Sequence, residues 1–224
     1  MSSPTEIPFT SQNPRYFYDK HDFPQLLHLE QNFGAIKQEL LRLREEKPSN
    51  AFWFKAFPHY VSSENDSAWN TFTFLFFGIA VKAHKDLCPE TWRQLSRIPE
   101  LISADFSFMK PHTHIKPHRG FTNKVLRVHM GLIVPEGCWI RVGDTTKKWE
   151  EGKLMIFDDS FDHEAMNPTG EDRVVLMFDI PNPYWGLSAK EISKERVYNM
   201  TDKFMLQFMN KEQWIEALER GSFD

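Results

Sequence analysis

The chain has 224 residues, of which 41% are hydrophobic and 26% charged, and its formal net charge is −4. That length is enough for one well-buried core, and the composition is that of an ordinary soluble globular protein. Lys+Arg number 27 against 31 Asp+Glu, with no dense basic cluster, which excludes nucleic acid as an expected partner because phosphate binding needs a concentrated positive face.

Two cysteines, Cys88 and Cys138, fit a reducing cytoplasm better than a secreted chain. The opening MSSPTEIPFTSQNP lacks the basic and then apolar pattern of a signal peptide. The longest apolar run, about Phe72 to Val81, is roughly half of what a membrane span needs. The expectation is a soluble, cytoplasmic chain without a membrane span, folded as one domain over residues 1–224.

Residues 1–22 carry Pro and Ser without clear period and read as an extended arm. From Phe23 to Glu46, the positions Leu26, Leu29, Phe33, Ile36, Leu40 and Leu43 fall three and four apart. That spacing predicts an amphipathic helix ended by Lys47-Pro48. Its charged positions, Lys37, Glu39, Arg42 and Arg44, read as a solvated face. An aromatic segment, Phe52 to Tyr60, and a polar loop (SSENDS) precede a strand predicted over Thr71–Gly78. Pro89–Leu95 reads as a short helix with Pro in its first turn. Residues 23–102 thus form helices and first strands, with no chemistry in them.

From Ser103 the pattern changes to short Val-, Ile-, Phe- and Leu-rich runs separated by turn residues. Strands are predicted near 104–109, 112–117, 124–133, 138–143, 145–149, 153–158 and 172–180, which argues for a β-sandwich or barrel. Pro135-Glu136-Gly137, Gly143-Asp144 and Asn167-Pro168-Thr169-Gly170 supply the turns. The tail from Ser188 is helical by composition, with Gly221 as C-cap. The predicted architecture is mainly β, with the barrel core over 103–185 and helices at both ends, the last over 186–224.

Five of the nine histidines lie between His112 and His163. Strand alternation points His112, His114 and His118 to one face, and His163 follows an acidic string from Asp158 to Asp162. Imidazoles from two strands facing each other at a barrel mouth would make a metal site. Arg127 and Arg173 sit inside apolar runs, and alternation puts Arg127 and His129 on one face with Val128 on the other. An arginine facing a barrel interior needs an anion, and its fork suits a carboxylate. Pairing of both arginines with local acids such as Asp159 or Glu171 is the competing reading.

At these residues the chain resembles the aspartyl/asparaginyl β-hydroxylase family of iron- and 2-oxoglutarate-dependent dioxygenases. The resemblance covers roughly Ser107 to Pro181, and it is carried by PHRGFTNKVLRVHMGL, by WEEGKLMIFDDSFDHE, and by an arginine ten residues after the last histidine. It implies a double-stranded β-helix, a jelly-roll or cupin-like barrel, with Fe(II), 2-oxoglutarate and O2 at its open end. His118 and His163 match the metal ligands and would be the catalytic pair. Ser107 and Arg173 match the pair that holds the distal carboxylate of 2-oxoglutarate, and Arg127 and His129 match the groups at its metal-binding end. Gly120 stands where related dioxygenases carry a metal-binding acid, and the family is similar in using water there. His112 and His114 are expected to be structural.

The implied activity is hydroxylation of an unactivated C–H, foremost the β-carbon of an aspartyl or asparaginyl residue or a related amino acid, free, peptide- or carrier-bound. Similar domains hydroxylate acyl chains. Peptide-hydroxylating members carry a basic residue two positions before the arginine matched by Arg127, and here Val125 stands there. Trp53, Tyr60 and Trp69 are candidate substrate contacts that also read as core. Two other readings stay open. One is a cupin-like metalloenzyme without 2-oxoglutarate, suggested by His112-x-His114 and by Asn167 four residues after His163. The other is a non-catalytic barrel binding a ligand or protein, with Met200, Phe204, Met205, Phe208 and Met209 as a contact surface.

Overall fold

The computed structural model describes residues 15–46, 54–55, 60–62 and 68–223. In chain order its elements are β1 (Phe17–Tyr18), α1 (His28–Gln31), α2 (Phe33–Glu46), β2 (Phe54–Lys55), β3 (Val61–Ser62), β4 (Trp69–Phe76) and β5 (Ile79–Val81). They continue with α3 (Lys82–Leu87), α4 (Pro89–Leu95), β6 (Ser103–Met109), β7 (Thr113–His118), β8 (Val125–Ile133), β9 (Trp139–Val142), β10 (Thr145–Lys147) and β11 (Leu154–Phe157). Last come β12 (His163–Asn167), β13 (Arg173–Pro181), α5 (Ala189–Tyr198), α6 (Lys211–Arg220) and β14 (Ser222–Phe223).

The strands form two sheets. The larger runs β1-β11-β8-β13-β6-β4-β5-β14, with β2 also on β4, and the smaller runs β10-β9-β12-β7-β3. Alternation gives the larger sheet two different apolar faces. Leu126, Val128, Met130, Val174, Leu176 and Phe178 pack with Leu26, Leu29, Ile36, Leu40 and Leu43 of the helical layer. The opposite face, with Met109, Phe157 and Val175, packs with Ile115, Ile140, Val142 and Ala165 of the smaller sheet. The space between the sheets is the interior of a squashed barrel, and the expected double-stranded β-helix with helices at both ends is the fold observed.

A third apolar cluster gathers Phe77, Ile79 and Val125 with Ile192, Val197, Met200, Met205, Trp214 and Ala217. Most of the apolar tail positions are thereby spent on the chain's own body, although Phe208 is 53% exposed. Gly221, in the left-handed region at φ 79, ends α6 as expected.

Several expectations need correction. The end of the predicted arm is ordered structure, since Phe17 and Tyr18 pair with Phe157 and Ile156. The helix predicted over 23–46 is broken at Asn32, whose side-chain amide donates to the His28 carbonyl at 2.7 Å and so competes with the helical ladder. Glu39 is not solvated. It is 9% exposed and accepts from the backbone N–H groups of Glu90 at 2.9 Å and Thr91 at 2.7 Å, so α2 caps α4. The predicted strand 145–149 stops at Lys147, because Trp149 turns inward and is 4% exposed. Trp53 and most of the aromatic segment 52–60, the stop at Lys47-Pro48, residues 1–14 and most of the SSENDS loop lie outside the described residues.

Candidate active site

The inward face of the larger sheet carries the polar groups marked in the sequence. On β6 and β13, Val175 pairs with Ser107 and Arg173 with Met109, so Ser107 and Arg173 share the interior face with Met109 and Val175. On β8, Phe157 pairs with Arg127 and Met155 with His129, so those two face inward also, while Val128 faces the helices. The smaller sheet supplies β12 and β7, where His163 pairs directly with His118.

Strand β12 lies outside the strands that the sequence pattern predicts. Its sequence HEAMN is short and polar, and the acidic string before it reads as a turn. The register between β12 and β7 shifts between His163 and Ala165, which pair with His118 and Ile115. One extra residue on β7 is a bulge, and it turns both Ile115 and His118 inward. His114 therefore points outward, against the expectation of one common face. It meets Glu164 at 2.7 Å, and Arg141 binds the same carboxylate at 2.6 Å. His112 precedes the strand with φ 53 and is exposed.

The rings of His118 and His163 are 4.1 Å apart between centroids. His118 Nδ1 faces the Lys116 carbonyl at 2.7 Å and His163 Nδ1 faces that of Phe161 at 2.9 Å. A carbonyl only accepts, so each ring carries its proton on Nδ1 and keeps Nε2 free as a lone-pair donor. Burial, with the neighbouring imidazole, pushes His118 down to about 4, and burial does the same to His163. Two neutral imidazoles at one barrel mouth fit a divalent transition metal with open coordination positions. Among the described residues, no third His, Cys, Asp or Glu completes a set.

At Gly120 the reason is steric. A Cβ there would lie 2.5 Å from the Asp159 carboxyl carbon, and the Gly120 N–H donates to the Asp159 carbonyl at 2.7 Å. Asp159 thus fills the space of a side chain at 120. It is 1% exposed, lies 2.9 Å from Arg127 Nη1, and neither of its carboxylate oxygens has a well-aligned hydrogen bond. Arg127 also binds Asp179 through Nε at 3.0 Å and Nη2 at 3.2 Å. Burial pulls against its charge, but Asp159 and Asp179 hold its pKa above the ordinary value. Asp158 instead closes the Ser160 turn at 3.0 Å, and Asp162 points out to Arg141 at 2.7 Å.

The two arginines differ. Arg127 is paired with acids, as the competing reading has it, whereas Arg173 has no carboxylate partner among the described residues. Arg173 is 2% exposed, its guanidinium lies 4.7 Å from the Trp149 ring centre, and its Nη1 reaches the Ser107 carbonyl at 3.4 Å. Its Nε is buried without a partner among the described residues. Burial pushes it down to about 10, so it stays charged at neutral pH. Trp69 donates to Ser107 Oγ at 3.0 Å.

Trp149 donates to His129 Nδ1 at 3.1 Å. This fixes the neutral tautomer with its proton on Nε2, an atom that is buried without a partner among the described residues. Burial and the nearby arginine charges hold His129 well below its ordinary pKa. Tyr60 stacks on His118 at 4.5 Å. Asp159 is marked in the sequence as an acid that could pair an arginine; the site residues not marked there are Trp149 and Asp179. An aspartate inside the apolar run VVLMFDI was the available signal for the last of these.

The squashed barrel thus holds paired imidazoles at its mouth, over a buried arginine without a carboxylate partner among the described residues. The family model described as aspartyl/asparaginyl beta-hydroxylase matches residues 30–183, and the chain belongs to that family. The match reaches well before Ser107 and leaves α5, α6 and β14 outside. The ornithine lipid ester-linked acyl 2-hydroxylase of Rhizobium tropici is 38% identical over 74% of this chain and 60% of its own length. The aspartyl/asparaginyl beta-hydroxylase of Homo sapiens is 35% identical over 69% of this chain and 21% of its own. The chain thus spans less than two thirds of the length of these two relatives. The solved structure of a viral collagen prolyl hydroxylase from Paramecium Bursaria Chlorella virus-1 aligns at 12% identity and TM-score 0.41, covering 65% of this chain and 90% of that one. Among the described residues, no helix is long and apolar enough to cross a membrane.

Proposed function

We propose that this chain is an Fe(II)- and 2-oxoglutarate-dependent dioxygenase that hydroxylates an unactivated carbon next to a carbonyl group. The observation that carries the reading is Arg173, a fully buried cation without a carboxylate partner among the described residues, on the same inward face as Ser107. Such a charge is costly unless an anion completes it, and a dicarboxylate reaching down from a metal at the barrel mouth would do so.

In this reading His118 and His163 hold the metal through Nε2. Arg173 and the Ser107 hydroxyl hold the distal carboxylate, and His129 Nε2–H donates to an oxygen at the metal-binding end, where Arg127 adds its charge. Asp159, fixed by Arg127 and filling the space of a side chain at 120, would accept a hydrogen bond from water bound beside it. Fe(II) with 2-oxoglutarate and O2 supplies an oxidant able to take hydrogen from an unactivated C–H, releasing succinate and CO2. The protein's part is orientation and exclusion of bulk water.

The names of the relatives bear on the substrate. The β-carbon of an aspartyl or asparaginyl residue and position 2 of an ester-linked acyl chain are both adjacent to a carbonyl, so one geometry of attack serves both. Val125, buried at 1%, replaces the basic side chain expected for an acidic peptide and supports the acyl class as the second reading.

The test uses anaerobic protein with Fe(II) titrated by 2-oxoglutarate. A visible metal-to-ligand charge-transfer band is expected, and Arg173→Ala should need at least about tenfold more cosubstrate. Succinate release would then rank aspartyl peptides against acyl esters. Metal binding without the band would sink the 2-oxoglutarate reading in favour of a cupin-like metalloenzyme. No metal binding would leave a non-catalytic barrel.

A further inference from the structure

Three residues beyond His118, the chain enters a second polar region that takes no part in the site above. A cavity of about 420 Å³ lies between the loop 119–124 and helix α5, lined among others by Phe121, Thr122, Lys124, Ile192, Arg196 and Thr201. Arg196 lies outside the span matched by the family model, which ends at residue 183, so this cavity is built partly by the chain's own C-terminal helices.

The charges lining the cavity are not equally free. Lys124 Nζ is spent on Glu195, with one contact at 2.6 Å. Asp202 accepts through Oδ1 from the backbone N–H groups of Phe204 at 2.9 Å and Met205 at 3.2 Å, so one of its two oxygens is spent on its own chain. Arg196 is different. Its guanidinium lies 4.2 Å from the ring centre of Phe121 and 5.9 Å from that of Phe77, and its Nε is buried with no hydrogen-bond partner among the described residues. Burial lowers its pKa, with the charge of Asp202 opposing. Phe121 is 44% exposed, so a large apolar ring stands open beside an unsatisfied guanidinium donor. Arginine held flat on an aromatic face presents its remaining N–H groups in a fixed fork, an arrangement suited to carboxylate or phosphate.

We propose that this cavity is an anion site, with Arg196 binding a carboxylate or phosphate while Phe121 and Ile192 bind the apolar body that carries it. The site adjoins the loop of Gly120, so its occupant would lie against the segment that follows the His118 strand. The proposal does not rest on the reaction inferred above, because binding is read without turnover.

The experiment is calorimetric titration of the full chain with phenyl phosphate, benzoate and inorganic phosphate. Phenyl phosphate and benzoate are expected to bind one per chain, with inorganic phosphate at least about tenfold weaker for want of an apolar body. Arg196→Met should weaken phenyl phosphate at least about tenfold, and Arg196→Lys, which keeps the charge and lets the helix pack, should fall between. Phe121→Ala, at an exposed position, should weaken the aryl ligands more than it weakens inorganic phosphate. Arg173→Met separates the two arginines and should leave phenyl phosphate binding as in wild type. Undiminished binding to a folded Arg196→Met protein would overturn the proposal. So would inorganic phosphate as tight as phenyl phosphate, or loss of binding in Arg173→Met but not in Arg196→Lys.

Discussion

Arg173 and Gly120 carry opposite lessons about a single position. The guanidinium of Arg173 is desolvated without a carboxylate among the described residues, so in the ligand-free protein it is a cost. Replacing a buried charge by an apolar side chain of similar length is often neutral or stabilising. Arg173→Met is therefore expected to unfold at the same temperature as wild type, or to be stabler by up to about 2 kcal/mol. The same variant should lose the thermal stabilisation that 2-oxoglutarate gives the wild type, because that gain is binding energy. Scanning fluorimetry with and without 2-oxoglutarate reads both, and a clear loss of stability in the ligand-free variant would contradict the first. At Gly120 the constraint is space, with the Asp159 carboxyl 2.5 Å from any added Cβ. Gly120→Ala should destabilise by about 1–3 kcal/mol, the usual cost of overpacking. Gly120→Ala should cost less in an Asp159→Gly background than in wild type, and equal costs in the two backgrounds in urea would count against this account.

At the scale of elements, what was legible followed from period and punctuation. The alternating runs in β6, β8 and β13 announce their strands and put Arg127 and His129 on one face, because one side of each strand is uniformly apolar. Pro89 and Gly221 mark their helix ends for local reasons. The bulge in β7 was not legible, since the extra residue is defined by pairing with β12, far away in sequence. Without it, His114 and His118 read as equivalent. Helix α4 gives a second case. Its N-terminus has no side-chain cap of its own, and the missing acceptor is Glu39, fifty residues earlier, on what pattern alone reads as a solvent face. Glu39→Ala should therefore cost about 1–2 kcal/mol in urea unfolding, like loss of an N-cap, whereas substitution of exposed Glu45 should cost almost nothing. Equal effects at the two positions would refute the capping role.

Across the whole molecule, the buried ionisable groups divide into two populations with opposite pH signs. Burial depresses His84, which lies outside the site, stacks on Phe72 at 3.9 Å and bonds the Thr73 carbonyl at 2.7 Å. A histidine whose folded pKa lies below its unfolded 6.5 contributes stability that is complete above pH 6.5 and lost as pH falls toward the folded value. The slope is up to about 1.4 kcal/mol per pH unit for each such residue. Asp105 runs the other way. Burial drives it up to about 8, against the pull of Arg127 and with the push of Asp179, and its Oδ1 is buried without a partner among the described residues. The folded protein therefore takes up a proton that the unfolded chain releases near 3.8. This term favours the fold below that pH and is lost as pH rises toward 8. Asp105→Asn removes it, so the variant should match wild type near pH 4 and be the stabler protein near pH 8, by on the order of 2–4 kcal/mol. His84→Gln should flatten the fall in stability below pH 6.5 without changing the alkaline side. Denaturant unfolding from pH 4 to 8 on the three proteins separates the terms. A gain in Asp105→Asn that did not grow with pH would mean that Arg127 keeps Asp105 ionised, and that the acid cluster around Arg127 is held by charge pairing rather than by a retained proton.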